Sequence, residues 1–551
     1  AYDSPEISGT LKADFTGNTI DNVEGNIRID SLLFKTAPSE FFINKFQIAA
    51  SGHSLDRRLT ITSDVINGEI NGSYSFETII PSLMNTFKGY LPALIKATQK
   101  EKKTKENKFS LLLTIENTDS ISKTLKLPVT IVNQSRIVGH YNNKYNKFRV
   151  EAFLPGFKVG ASAFESGYMV CDNPTDEIVL HVKATNFNNK GLKNYLDLSL
   201  NAKNDRINSL ISWANNKSKT FKADLSSSTH FVMQEQETGP AKLRTEIELN
   251  QSPIIVNDSL WQIEPSNIFI ENGRIMIDNF YAYHDDQFIR LDGDVSKTPT
   301  DTLKLDLKDV ELSYIFDIVN IPVLQFGGKA TGTFNLNDLY GSRVLNTDLE
   351  IENFSFNKVP FGKLNLYSEW DDQQQGIMML GSIYKNDSTW TDINGFIYPV
   401  GEKSGLSLYF DANDIDISFL QPFMQNIAKN IKGSGFGNVH LFGPFSKLTV
   451  EGEALIKDGG LGIDYLNTYY TFTDSIHLTP ETIRVKDLTL YDKDGNKGKV
   501  NGEVNHQFFR DFNFKATVQA DNMLLYNATP RQNPQISGTA YGSGSATIQG
   551  N

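Results

Sequence analysis

The chain has 551 residues, several times the length of one domain, so either several domains or one extended repeat is expected. Asp and Glu number 65 against 53 Lys and Arg, a net charge of −12 that excludes the basic footprint of a nucleic-acid binder and gives no support for electrostatic docking to anionic lipid heads. The single cysteine, Cys171, excludes an internal disulfide framework and a CxxC-type zinc cluster, and no apolar run approaches the ~20 residues of a membrane-spanning helix.

Taken in chain order, apolar residues alternate with polar ones at a period of two, the signature of strands with one buried and one wet face. Val23, Gly25, Ile27 and Ile29 face one way while Glu24, Asn26, Arg28 and Asp30 face the other. Leu59 and Ile61, then Ile70, Tyr74 and Phe76, continue the pattern. Leu83, Phe87, Leu91 and Leu94 have helical spacing, with Pro92 breaking the helix, and the Lys/Glu-rich tract Lys96–Lys108 reads as a solvated helix end or linker. Alternation resumes at Phe109, Leu111, Leu113 and Ile115, at Phe148 to Leu154, at Ile178 to Val182 and at Leu196 to Leu200. Ile207, Leu210, Ile211 and Ala214 predict a second short helix. Strands follow at Ile289–Val295 and at Leu303, Leu305 and Leu307, with a third helix through Leu312, Ile315, Phe316 and Val319. Leu364 and Leu366, then Leu406, Leu408 and Phe410, precede a fourth helix at Phe419, Phe423, Ile427 and Ile431. Leu448, Val450, Val500, Val504, Phe512 and Phe514 complete the series. The dipeptides Asn67-Gly68, Asn71-Gly72, Asn272-Gly273, Asp292-Gly293, Asp458-Gly459 and Asp494-Gly495 read as turns between strands.

A fixed period overlies these elements. Gly328 and Gly332 recur as Gly433 and Gly437 and as Gly538 and Gly542, with 433 − 328 = 538 − 433 = 105. Such self-similarity means one unit stacked on copies of itself, here about five or six strands and a helical cross-piece. The expected organisation is an N-terminal segment at 1–108, a middle segment at 109–300, repeat units at 301–405 and 406–510, and the start of a third at 511–551. Beginning at Ala1 and stopping just inside a third copy, the sequence reads as a piece of a longer protein.

The fold expected is mostly β: an elongated, curled antiparallel sheet with a few short helices at repeat junctions. So many one-sided strands and so little helix leave two solutions. Two sheets cover each other as a sandwich, or one sheet curls into a trough whose apolar wall something else fills.

Catalytic and metal signatures are missing. The eight histidines contain no HxxxH or HxH pair, and there is no Gly-x-Ser-x-Gly or P-loop. Gly433-Ser434-Gly435-Phe436-Gly437 follows a helix instead of preceding one, so it reads as a close-packed strand start. Asp492-Lys493-Asp494-Gly495-Asn496 with Glu503 has calcium-loop spacing, but Lys497 stands where the loop needs glycine, so a hairpin turn is expected. No enzyme, cofactor, catalytic residue or metal site is expected.

The stretch Asp458-Gly459-Gly460 through Phe472, with Leu488–Asp492, Gly495–His506, Phe509–Phe514 and the Gly538–Gly550 tract, resembles the TamB family within the wider AsmA-like group. Residues 301–551 look like the middle of such a protein. Leu59–Asp64 with Gly68–Phe76 is a looser match, and 109–240 carries only the alternation. The resemblance implies a repeating β-groove (β-taco) that shields acyl chains. It further implies a periplasmic location in a Gram-negative bacterium, with an inner-membrane anchor and an outer-membrane assembly barrel of the TamA/BamA type as partner, both engaged through regions outside this sequence. The function expected is a conduit for phospholipid or another lipid, contributing to outer-membrane biogenesis. Moving a 16-carbon chain into water costs on the order of 13 kcal/mol, which a continuous apolar wall would lower.

The wall candidates are Ile27, Ile29, Leu59, Ile61, Leu111, Leu113, Leu303, Leu305, Leu307, Phe334, Leu336, Leu406, Leu408, Val439, Leu441, Phe512 and Phe514. Three other readings stand beside it: a string of β-sandwich adhesin modules, an outer-membrane barrel, and an assembly factor that offers a sheet edge to nascent barrel strands.

Overall fold

The computed structural model describes residues 5–37, 39–53, 56–95, 105–160, 162–187, 193–215, 221–236, 239–314, 325–399, 404–424, 428–464, 466–507, 510–533 and 535–550. The chain is mostly β and antiparallel, and it divides into two compact units, Ala1–His284 and Asp285–Asn551.

The first unit is an antiparallel meander in which most strands pair with their neighbours in sequence. Glu6–Thr16, Glu24–Thr36, Ser39–Ser51, Arg57–Ser63 and Ile66–Ser73 run in order, and Ile66–Ser73 pairs with Lys108–Ile115. The helix Ile79–Lys88 is inserted between those last two. A second insertion, the helix Asp119–Leu125 and the short strand Val129–Ile131, precedes Ser135–Asn142. Meandering then continues through Phe221–Gln234, whose two ends pair with Lys242–Leu249 and Ser252–Val256, two halves of one broken strand.

The second unit carries the 105-residue repeat in its strand plan. Thr302–Glu311, Phe326–Asn337, Val344–Phe356, Val359–Asp371, Gly376–Asn386 and Thr389–Tyr398 make six strands. Gly405–Asp416, Lys429–Pro444, Thr449–Ile463, Thr468–Leu478, Thr482–Tyr491 and Lys497–Gln507 make six more, and Arg510–Ala528 and Gly538–Gly550 start again. Backbone conformation recurs as well. Asp309 and Asp414, 105 apart, are both left-handed with φ of 53° and 65°, as are Asn353 and Asp458, also 105 apart, with φ of 54° and 50°. All four sit at register shifts, where an extra residue bulges from the ladder. Short polar side chains tolerate this conformation, and the bulge bends its strand. The freed backbone N–H is met from the next strand: Asp309 N–H donates to Thr331 Oγ1 at 2.9 Å and Asp458 N–H to Thr473 Oγ1 at 3.0 Å.

Three sequence expectations need correction. Ile207–Ala214 is not helical: Arg206–Asn215 is a strand paired on both sides, with Ile207, Ile211 and Trp213 on one face. Tertiary pairing of a Ser-, Ile- and Trp-bearing segment overrode an accidental helical spacing. The first helix ends at Lys88, leaving Leu91 and Leu94 beyond it; of the fourth, Phe419 lies in the 3-10 turn Ile417–Leu420, Phe423 in the helical segment Gln421–Met424, and Ile431 already in a strand. Ile427, and Ile315, Phe316 and Val319 of the third, lie outside the described residues. Finally, Asn67-Gly68, Asn71-Gly72, Asp292-Gly293 and Asp458-Gly459 are inside strands.

Candidate functional site

The register of the second unit defines a single cross-strand row. Ile289, Leu307, Gly332, Leu349, Leu366, Gly381, Ile393, Phe410, Val439, Gly452, Leu478, Ile483, Val504, Phe514 and Gly550 are successive direct partners, one from every strand of the unit. Directly opposed residues project from the same face, and every member of this row is aliphatic, aromatic or glycine. A parallel row runs through Leu291, Leu305, Phe334, Thr347, Ser368, Met379, Gly395, Leu408, Leu441 and Val450. The opposite face gives Arg290, Asp306, Thr333, Asp348, Tyr367, Leu380, Asn394, Tyr409, His440 and Glu451, a wet surface.

The first unit repeats the arrangement. Ala13, Ile27, Ile48, Ile61, Gly68, Leu113, Ile137, Ala152, Met169, Val182, Leu198, Ile211 and Leu225 are successive partners, again without a polar member. Beside it run Leu59, Ile70, Leu111, Gly139, Val150, Cys171, Leu180 and Leu200. Burial raises the Cys171 thiol, with the Asp172 carboxylate adding to the effect, so Cys171 is a wall residue and not an activated nucleophile.

The wall candidates therefore fall on the apolar face of their own unit. Leu307, Val439 and Phe514 lie in the first row of the second unit; Leu305, Phe334, Leu408 and Leu441 lie in the next; and Leu303, Leu336 and Leu406 flank them. Ile27, Ile29, Leu59, Ile61, Leu111 and Leu113 share one face of the first unit. Phe512 lies two residues before Phe514 on the same strand, and its side chain is outside the described set.

Both rows are half-buried along most of their length; Leu307, Leu349 and Ala152 are buried, whereas Ile27 is 42% exposed. Full burial is concentrated where short segments fold over strand ends. In the first unit, Leu83, Phe87, Tyr90 and Leu91 pack on Tyr141, Phe148, Ile178 and Ala202 at one end of the strands. Ile131, Phe157 and Ala184 cluster with Ile115, Leu154 and Phe164 at the other. In the second unit, Ile417, Leu420 and Met424 cover Ile456, Phe472, Leu488 and Val500. Away from these covering segments most row residues stay partly accessible.

Glycines fit this face closely. At Gly332 and Gly437, with φ of 149° and 135°, an added Cβ would stand 2.1 and 2.3 Å from the carbonyl oxygens of Asp348 and Glu453 on the next strand. Gly542, the third repeat glycine, has no such φ; Gly544, two residues on, has φ of 146°.

Asp492 shows what its loop does. Its Oδ1 accepts from Asp494 N–H and Asn496 N–H and its Oδ2 from Leu524 N–H and Asn496 Nδ2, so a hairpin uses the carboxylate fully. Burial opposes ionisation there, but these hydrogen bonds outweigh it and hold Asp492 below its ordinary value.

Sequence reading missed Arg57, which precedes Leu59 and Ile61 by the same step of two and so faces the apolar side at its end. That parity was visible in the sequence.

No family model, curated protein or solved structure matches the chain. The resemblance to the TamB family rests on its glycines and apolar positions alone.

Proposed function

We propose that the apolar face of each unit shields the acyl chains of a lipid, leaving the head group in solvent. The observation that supports it is the row itself: one partner from every strand of the second unit, none polar, and most of them only partly buried. Such a wall in a globular core would be roofed along its length, because exposed contiguous apolar surface is costly unless it binds something. Along the row an acyl chain slides between equivalent contacts and never meets a charge. No residue acts as a catalyst in this reading. Transfer between membranes in the periplasm, with an inner-membrane anchor and an outer-membrane barrel as partners, belongs to the same proposal and is supported by the family resemblance.

Mass spectrometry of organic extracts from the purified chain tests the reading, together with a photo-crosslinking side chain at Val439 and an environment-sensitive dye on Cys171, the sole cysteine. Lipid in the extract, lipid adducts at position 439, and a blue shift of the dye on adding a long-chain fatty acid are expected. Peptide adducts in place of lipid would favour the assembly-factor reading; an empty extract with no adduct would sink the proposal.

A further inference from the structure

We propose that the ligand of the first unit is an anionic amphiphile whose head group is met by Arg57. This rests on the acyl-chain reading and names the chemistry of the head. The inward residues of the strand Arg57–Ser63 are Arg57, Leu59, Ile61 and Ser63, so that a cation is followed by two aliphatics, which complements an anionic head followed by a tail. Arg57 is 7% exposed, yet among the described residues its Nε and Nη1 have no hydrogen-bond partner. Its guanidinium lies against the Tyr74 and Phe76 rings, 6.0 and 5.4 Å from their centroids. The nearby counter-charge is Asp21, whose Oδ1 is 3.9 Å from Nη1. Asp21 is already shared: Lys105 Nζ donates to its Oδ2 at 2.7 Å, Ser75 Oγ at 2.7 Å and Glu77 N–H reaches its Oδ1 at 3.4 Å. Arg57 and Lys105 thus share the Asp21 carboxylate at the head of an apolar wall, and Arg57 is the more distant of the two.

A buried guanidinium with unmet donors is strongly unfavourable until an acceptor arrives, and a carboxylate or phosphate supplies two acceptor oxygens in matching geometry. The aromatic rings favour such a head over a neutral one only through the cation they hold. Carboxylate and phosphate heads share this chemistry.

The experiment is calorimetric titration of the full chain with dodecanoate, dodecyl phosphate and 1-dodecanol, which share one tail. The unaltered chain should bind at least one anionic amphiphile about tenfold more tightly than the alcohol. Arg57→Met should abolish that preference and leave alcohol binding unchanged. Asp21→Asn, which removes the competing carboxylate, should widen the preference, and it decides the matter if Arg57→Met fails to fold. The stronger of the two anions identifies the head group as carboxylate or phosphate. Equal affinity for all three ligands, a preference that survives Arg57→Met, or a narrowed preference in Asp21→Asn overturns this inference and leaves the acyl-chain reading standing. Binding of none of the three overturns both.

Discussion

At the scale of single residues, backbone and charge each make a measurable demand. Gly437 needs φ of 135° and has no room for a Cβ beside the Glu453 carbonyl, whereas Val439, two residues on, is an ordinary half-buried wall position. Gly437→Val is expected to cost about 2–4 kcal/mol in chemical denaturation, against about 1 kcal/mol for Val439→Ala; equal losses would show that the strand relaxes around the added side chain. Asp21 makes the second demand. Burial alone would raise its pKa, but hydrogen bonds from Lys105, Ser75 and Glu77 N–H hold it at about 2, below an ordinary value of 3.8. A depressed carboxylate contributes stability above its unfolded pKa and loses it as pH falls through the folded one. Stability from Asp21 is therefore complete above about pH 5 and lost progressively as pH falls through about 4 and about 2. Because Lys105 is 60% exposed, solvent screening keeps the contribution to at most about 1–2 kcal/mol. Acid titrations of the chain and of Asp21→Asn should converge below about pH 2, separate as pH rises toward about 5, and run parallel above that.

At the scale of elements, period-two alternation carried most of the fold, because it is the direct imprint of a half-wet strand. Leu303, Leu305 and Leu307 needed no tertiary information to be read as facing one way. Two of the Asn-Gly and Asp-Gly pairs misled for a physical reason: at Gly72 and Gly293 a glycine with positive φ serves a turn and a coiled strand equally, and only the pairing partner distinguishes them. Gly72, opposite Phe109 in mid-sheet, is the second case. The helix Asp119–Leu125 escaped notice because its inward residues Ser122 and Thr124 are polar. Bulges were invisible too, since a left-handed aspartate leaves no mark on hydrophobic periodicity. Their importance is testable at Thr331, whose hydroxyl oxygen accepts the N–H of the bulged Asp309. Thr331→Val should destabilise by about 1–2 kcal/mol in thermal or urea unfolding and Thr331→Ser by much less; equal effects would show that water replaces the hydroxyl.

At the scale of the whole molecule, the sequence held the strand content and the inward residues, while the cluster of Asp21, Arg57 and Lys105 lay hidden because only folding assembles it. Function is tested most sharply by charging the wall. Leu305 and Leu408 share one row, and both are half-buried. Placing aspartates at both should abolish lipid adducts from a crosslinker at Val439 and lower stability by only about 1–2 kcal/mol, because a carboxylate at an open face keeps its water. In a roofed core the same pair should cost several kcal/mol and collapse the unit. A folded double variant that still captures lipid would show that the row is not the route.

The six-strand plan of each repeat has a further consequence, which lies in its parity. Six is even, so an antiparallel chain leaves each copy at the end where it entered, and the first strand of every copy runs in the same direction. Gly328, Gly433 and Gly538 accordingly recur with φ of 121°, 129° and 137° at the second strand of successive copies. Duplication or loss of one 105-residue copy preserves the sidedness of every bulge, cap and wall residue, and alters reach by about 29 Å at roughly 4.8 Å per strand. An odd count would turn each new copy inside out relative to its neighbours' ends. Length in such a protein is thus a digital quantity, adjustable by recombination in whole steps without redesigning a single contact.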